Sequence, residues 1–374
     1  MCSYMKIAIT TDGTKNIWSS GEVQYFIFLY DILTRGGAEC FYLYPDKAPP
    51  GLGKRCKHIK ISDALKNNAH FDKIIIGSFF PSYMEISRLL EINSKCKIIY
   101  VNFLNKQAQH SHGALFSHAS PPFSALSDLY FLFDEIWILP HHADDASYIK
   151  TIFHNENVRI APYIWDSYFI HSALSQSENA KISYNPTNAS NLNTLNQICI
   201  FEPNKSFTKN FLLSLALCER AVEVEKAVLE SVNIFNCKKI RSLPYFQALV
   251  KKFNLVKQNK VYFNNRWNLP DALRRWGGTI VSHQKFSELN YLHFECLYLG
   301  LPLVHNSTML EEYGYSYKSD DIAGGARQLK TALAYHKKNF DYYRGQVTGC
   351  LSRYSIYNVA NVEAYKLLLD RLEH

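Results

Sequence analysis

At 374 residues the chain is longer than one ordinary core supports and predicts two domains of about 150 to 200 residues each. Its 47% apolar and 14% aromatic content excludes a disordered chain, and its formal net charge of +8 favours anionic partners such as nucleotide phosphates, lipid head groups or nucleic acid. With no run of about 18 apolar residues, no signal-peptide core and nine scattered cysteines that form no Cys-x-x-Cys, the expectation is a reduced, cytoplasmic protein with no membrane span.

Residues 5–11 read as a buried opening strand, 13–21 as a polar loop, and 22–34 as an apolar helix closed by Gly36 and Gly37. The loop lacks the glycine spacing of a dinucleotide fingerprint, but Trp18 and Gly21 are placed to hold a phosphate or an acceptor sugar over the helix start. Further strands are expected at 38–44, 59–61, 73–77, 97–103, 135–139 and 158–162, with helices at 83–92 and 144–153 between them. Alternating strands and helices predict a parallel, doubly wound sheet, so residues 1–174 are expected to form a Rossmann-like domain.

Residues 175–197 are rich in Ser, Asn and Thr and read as a polar linker. A second α/β series follows over 198–355. Its strands are expected at 198–201, 232–235, 260–263, 279–282 and 301–304, and its helices at 207–222, 244–253, 270–276, 288–299 and 326–338. A last helix, 358–372, falls in a C-terminal segment beginning at 356.

Chemistry-bearing residues fall at the carboxyl ends of these strands, where open parallel sheets collect ligands. Glu202 and Asn204 follow the first strand of the second domain, and Lys209 stands near the next helix, placed to neutralise a departing diphosphate. His283 ends a strand and Asn306 follows another. Ser287 is expected to cap the helix between them, which offers the amides of residues 288–290 to a phosphate, with Asn290 lining the site. Glu295, on that helix among apolar neighbours, has the acceptor-only carboxylate that ribose hydroxyls need. In the first domain the conspicuous set is His110, His112, His118, His141 and His142. His110, His112 and Glu22 are the candidates for the base that deprotonates an acceptor hydroxyl. No spacing fixes a metal site, and no cofactor is expected.

Two Rossmann-like domains in series, the second carrying Glu295 followed by Gly300, Pro302 and Val304, resemble the GT-B glycosyltransferase superfamily. The chain is most similar to a bacterial family catalogued as a domain of unknown function and regarded as glycosyltransferase-like. Trp18 with Gly21, Glu135 to His141, Glu202 to Asn204 with Lys209, Ser282-His283, and Leu289 through Ser307 carry that likeness. The resemblance implies a metal-independent transfer of a sugar from a nucleotide-sugar to a saccharide or lipid-linked glycan, in bacterial surface polysaccharide synthesis. It also implies a cleft between two domains in GT-B arrangement, a terminal helix packed back on the first domain, and peripheral contact with the inner membrane. Retaining members of the superfamily carry two glutamates with seven residues between them, whereas Glu288 and Glu295 have six, so retention and inversion both stay open. The rival readings are a sugar-nucleotide epimerase of the same architecture and a non-catalytic nucleotide or nucleic-acid binding protein. The dispersed cations, without a basic stripe, argue against nucleic acid.

Overall fold

The computed structural model describes residues 5–18, 21–50, 56–116, 129–175 and 194–373. Most of the polar segment 175–197, and His118, lie outside the described residues. The first series comprises β1 (Lys6–Thr10), α1 (Gly21–Arg35), β2 (Glu39–Tyr44), β3 (Lys57–Lys60), α2 (Ile61–Lys66), β4 (Lys73–Ile76), α3 (Tyr83–Ile92), β5 (Lys97–Asn102), α4 (Lys106–Phe116), β6 (Glu135–Ile138), α5 (Ala146–Phe153) and β7 (Val158–Ile160). The second begins with α6 (Tyr168–Ser175), β8 (Gln197–Ile200), α7 (Leu212–Glu223), β9 (Ser231–Ile234), α8 (Pro244–Val250), α9 (Asn254–Lys257) and β10 (Val261–Phe263). It continues through α10 (Leu269–Arg275), β11 (Thr279–Ser282), α11 (Tyr291–Tyr298), β12 (Leu303–His305), β13 (Tyr315–Ser316), α12 (Ile322–Tyr335), α13 (Phe340–Tyr354) and α14 (Val359–Asp370).

The strands form two parallel sheets, in the orders β3-β2-β1-β4-β5-β6-β7 and β10-β9-β8-β11-β12-β13. Every residue of β4, β6 and β11 is buried, as strands covered by helices on both faces require. Each sheet has a point where strand order reverses, between β1 and β4 in the first and between β8 and β11 in the second. Crossover connections diverge there and leave a crevice at the carboxyl ends of the strands.

The chain divides into two compact units, one of residues Met1–Asp166 with Ser352–His374 and the other of Ser167–Leu351. Within the first, α14 covers α1, and Tyr25 and Tyr365 join their hydroxyls at 2.5 Å while Tyr365 donates to the carbonyl of Pro162 at 2.6 Å. That cover explains why Val23 through Tyr30 are buried all round the helix.

Three expected helices depart from the sequence reading for local reasons, and further helices appear that it did not contain. The helix expected over 207–222 starts at Leu212 because Asn204 folds the preceding loop, its Oδ1 accepting from the amide of Phe211 at 2.9 Å. The helix expected over 244–253 breaks in two, with Phe253 extended and the Glu219 carboxylate accepting from the amides of Asn254 at 2.5 Å and Leu255 at 2.9 Å. The helix expected over 288–299 starts at Tyr291, and its N-cap is Asn290 rather than Ser287. Helices α2, α4, α6 and α13 were not expected; α4 buries little of its own surface, whereas α13 buries Phe340, Tyr343, Val347, Cys350 and Tyr354 at three- and four-residue spacing, an amphipathic stripe that leaves Gly345 and Gly349 exposed.

Candidate functional site

The densest polar constellation lies at the switch point of the second sheet. Glu202, just past β8, is buried, and its Oε1 accepts from the Ser282 hydroxyl at the end of β11 at 2.7 Å. That bond ties together the two strands between which the sheet order reverses. Ser282 has one proton to give, so Gln284 Nε2 at 3.3 Å and His293 Nε2 at 3.0 Å donate to its oxygen, which sets His293 as the Nε2–H tautomer. Among the described residues Glu202 Oε2 has no hydrogen-bond partner although it is shut away from water. Burial pushes the Glu202 carboxyl up to about 7, against the pull of Ser282, of Lys209, and of the Gln284 side chain and His283 amide, which face it without closing a well-aligned hydrogen bond to Oε2.

Lys209 is the matching unsatisfied cation. It is half-buried, its side chain makes no hydrogen bond or ion pair among the described residues, and burial pulls its pKa down while Glu202 holds it up. The site thus contains a carboxyl oxygen and an ammonium that are electrostatically coupled yet each has donors or acceptors to offer. Buried polar groups are normally satisfied, so such a pair marks a place where a ligand completes the network.

The other proposed donor-side residues have structural work that the sequence does not reveal. Asn204 adopts a left-handed backbone (φ 54°), and its Nδ2 donates to the Phe235 carbonyl at 2.9 Å. Asn290 caps α11 by accepting from the Leu292 amide at 3.0 Å, and its Nδ2 donates to Gln284 Oε1 at 3.1 Å. Asn306 clamps Gln284, accepting from its amide at 3.0 Å and donating to its carbonyl at 2.9 Å. These carboxamides build the loops that hold the site. His283 Nδ1 lies 2.8 Å from the Tyr317 hydroxyl and its Nε2 lies 3.0 Å from Asp320 Oδ1; burial lowers its pKa against the pull of Asp320. Lys285, 2.5 Å from Asp320 Oδ2, holds that carboxylate low. Glu295 is buried on α11. Glu288 does not share its environment: one Glu288 oxygen accepts from the amides of Thr308 at 2.9 Å and Met309 at 3.1 Å and from the Thr308 hydroxyl. Since Asn290 caps α11 and Glu288 turns toward residues 308–309, the phosphate cradle expected from residues 288–290 is not built in that form.

In the first unit a second polar group gathers at the carboxyl ends of β1, β4 and β5. Thr11 and Ser78 join hydroxyls at 3.2 Å across the switch point, and Ser78 also receives the Asp12 amide at 3.1 Å. Trp18 is half-buried with its amide on Asn16 Oδ1 at 2.8 Å, and Gly21 is the first residue of α1. Glu22 stands in the first turn of α1. His110 lies on α4 with Nδ1 2.9 Å from the Tyr148 hydroxyl, its pKa lowered by burial and by Lys106. His112, on the same helix, meets the Phe116 ring at a tilt, with centroids 5.6 Å apart. His141 and His142 are in ring contact, and among the described residues no three or more His, Cys, Asp or Glu side chains are grouped to hold a metal ion. Sequence reasoning missed Lys106, whose charge reaches both Glu22 and His110. Its position at the head of a helix after a strand is the signal that would have found it.

Residues 6–369 match a family described as a protein of unknown function, DUF2827. The chain belongs to this family. No curated protein matches the sequence significantly. Among solved structures, this family member is similar to the α,α-trehalose 6-phosphate synthase of Burkholderia multivorans, at 10% identity and TM-score 0.59 over 98% of this chain and 100% of that one. It is likewise similar to the T4 phage glucosyltransferase BGT in complex with UDP-glucose, at 14% identity and TM-score 0.55 over 98% and 100%. A third likeness is to Staphylococcus aureus TarM with UDP bound, at 12% identity and TM-score 0.50; it covers 84% of this chain but spans only 59% of the TarM chain. At these identities the likeness is one of fold: the two parallel Rossmann-like sheets are those of GT-B glycosyltransferases. No helix among the described residues is long and apolar enough to cross a membrane.

Proposed function

We propose that the chain is a glycosyltransferase that takes a sugar from a nucleotide-sugar and passes it to a saccharide or lipid-linked glycan acceptor. The observation that carries the reading is the pairing, at the switch point of the second sheet, of a buried carboxyl, Glu202, and a half-buried ammonium, Lys209, which among the described residues leave an oxygen and the amine without a well-formed partner. Nucleotides bind at such switch points in α/β sheets. The reaction leaves a nucleoside diphosphate, whose growing charge calls for a fixed cation in a dry site.

In this reading Lys209 meets the diphosphate, Glu202 accepts hydrogen bonds from donor hydroxyls, and a His283 ring N–H donates to the diphosphate or the sugar. Glu295 takes the ribose, and Asn204, Asn290 and Asn306 shape the loops around them. Lys209 supplies the positive charge that a divalent ion provides elsewhere, which makes the transfer metal-independent. In the first unit, Glu22 or His110 would accept the acceptor proton, and Trp18, Gly21 and His112 would line the acceptor. The setting we propose is bacterial surface-polysaccharide synthesis in the cytoplasm, where a chain of charge +8 is drawn to the anionic inner leaflet.

A thermal-shift panel of nucleotide-sugars tests the donor assignment, because a ligand that binds the native state at about 100 times its Kd adds about 2.7 kcal/mol. One nucleotide-sugar should raise the midpoint, and Lys209→Ala should weaken its binding at least about tenfold, which is about 1.4 kcal/mol. A panel in which no donor shifts the midpoint, or full affinity in Lys209→Ala, would reject the assignment. Release of a free epimer without acceptor would point to an epimerase instead, and activity that disappears with a chelator and returns with a divalent ion would overturn metal independence.

A further inference from the structure

Lys106 heads α4 at the carboxyl end of the first sheet and is only 3% exposed. Among the described residues its Nζ makes one hydrogen bond, to Gln109 Oε1 at 3.2 Å, and it sits 5.6 Å from the centre of the Tyr100 ring. Among the described residues no carboxylate lies within ion-pair distance of it. The nearest acidic groups are committed or offset. Asp145 spends its oxygens on the amides of Lys106 and Gln107, and Glu22 acts on Nζ only through space. An ammonium has three protons to donate, and Gln109 takes one.

Burying such a charge costs several kcal/mol unless an anion answers it. The fold nevertheless places Lys106 where ligands collect in open parallel sheets, beside Glu22 on α1 and His110 on its own helix. The positive end of α1, a helix of 15 residues, opens at the same sheet end and adds to the field.

We propose that Lys106 is the receptor for an oxyanion on the acceptor, so that the first unit takes a sugar bearing a phosphate or a carboxylate. The proposal rests on the glycosyltransferase reading and names the acceptor class for it. The two remaining Nζ protons bind the oxyanion, and the anchored sugar then lays its hydroxyls toward Glu22 and His110, two proton acceptors within electrostatic range of Lys106. Lys106 is a binding residue in this scheme and makes no bond to the reacting hydroxyl.

Calorimetric titration of the full chain with glucose 6-phosphate, glucuronate, methyl glucoside and inorganic phosphate tests it. The wild type should bind at least one charged sugar at least about tenfold more tightly than methyl glucoside, and the better of the two identifies phosphate or carboxylate as the group recognised. Lys106→Gln should reduce that affinity to the level of methyl glucoside, while Lys106→Arg should retain most of it. A second readout needs no variant. Burial holds the Lys106 ammonium down at about 8, so affinity for the charged sugar should be full below that pH and fall as pH rises through it. Equal affinities for charged and uncharged sugars, or an unchanged Lys106→Gln, overturn the proposal. Binding of the nucleotide-sugar panel is followed in the same series: no nucleotide-sugar binding with oxyanion binding intact would reject the donor reading and leave Lys106 standing, and the reverse would reject Lys106 alone.

Discussion

At Glu202 one carboxyl oxygen holds Ser282 and the other, among the described residues, has no well-aligned hydrogen bond, and the chemistry of the second unit turns on that asymmetry. Its folded pKa is raised from 4.5 to about 7, so the folded protein holds a proton that the unfolded chain releases. Stability from this group is therefore full below about pH 4.5 and is lost as pH rises toward 7, by about 3 kcal/mol at 1.36 kcal/mol per unit. Glu202→Gln keeps an oxygen for Ser282 and has no charge to desolvate. It should match the wild type at pH 4.5 and exceed it by about 2 to 3 kcal/mol at pH 8 in urea unfolding; the same difference at both pH values would refute the protonation account. The position of Glu202 at a strand end was readable in the sequence, and so were the residue types of Asn204, Asn290 and Asn306. Their duties were not, because each carboxamide bonds to backbone or side-chain groups that folding brings alongside, such as Phe235 beside Asn204 and Gln284 beside Asn306.

Between elements, the segment leading into α11 shows how a motif is reassigned by packing. Residue spacing left Glu288 as a poor match for the first glutamate of a pair, and its carboxylate proves to be the anchor of the turn after β12. Glu288→Ala frees two amides and a hydroxyl at a half-buried place, which should cost about 1 to 3 kcal/mol. Loss of nucleotide-sugar binding with unchanged stability would instead make Glu288 a ligand residue. Strands such as β4, with three consecutive isoleucines, were legible because burial on both faces leaves a continuous apolar run. The short edge strand β13 and helix α4 were not legible, since the first has two residues and the second buries little but Lys106; the apolar spacing of α13, from Phe340 through Tyr343, Val347 and Cys350 to Tyr354, was legible despite its two glycines.

Across the whole molecule the two units differ in how they meet acid. The second unit contains His293, His305 and His336, each buried and neutral; burial holds His305 and His336 at about 4 and His293 well below its usual value. A depressed histidine gives stability that is full above its unfolded pKa of 6.5 and is lost as pH falls toward the folded value. At pH 5 that is about 2 kcal/mol for each of His305 and His336, with His293 adding to it, against the opposite trend of Glu202. The second unit should thus lose hydrogen-exchange protection before the first as pH falls from 6.5 to 4. Simultaneous loss, or earlier loss in the first unit, would contradict this.

Composition and periodicity determined by themselves that the chain folds as two α/β series with parallel sheets, because apolar runs and amphipathic spacing are local properties of the chain. They also determined which strand ends bear polar residues. Only the tertiary structure decided which of those residues keep an open valence. It joined Glu202 to Ser282 across the switch point, spent the asparagines on loops, turned Glu288 toward Thr308 and buried Lys106 with no ion pair among the described residues. The reason is physical: satisfaction of a hydrogen bond or a charge depends on groups distant in sequence, and no local pattern records them.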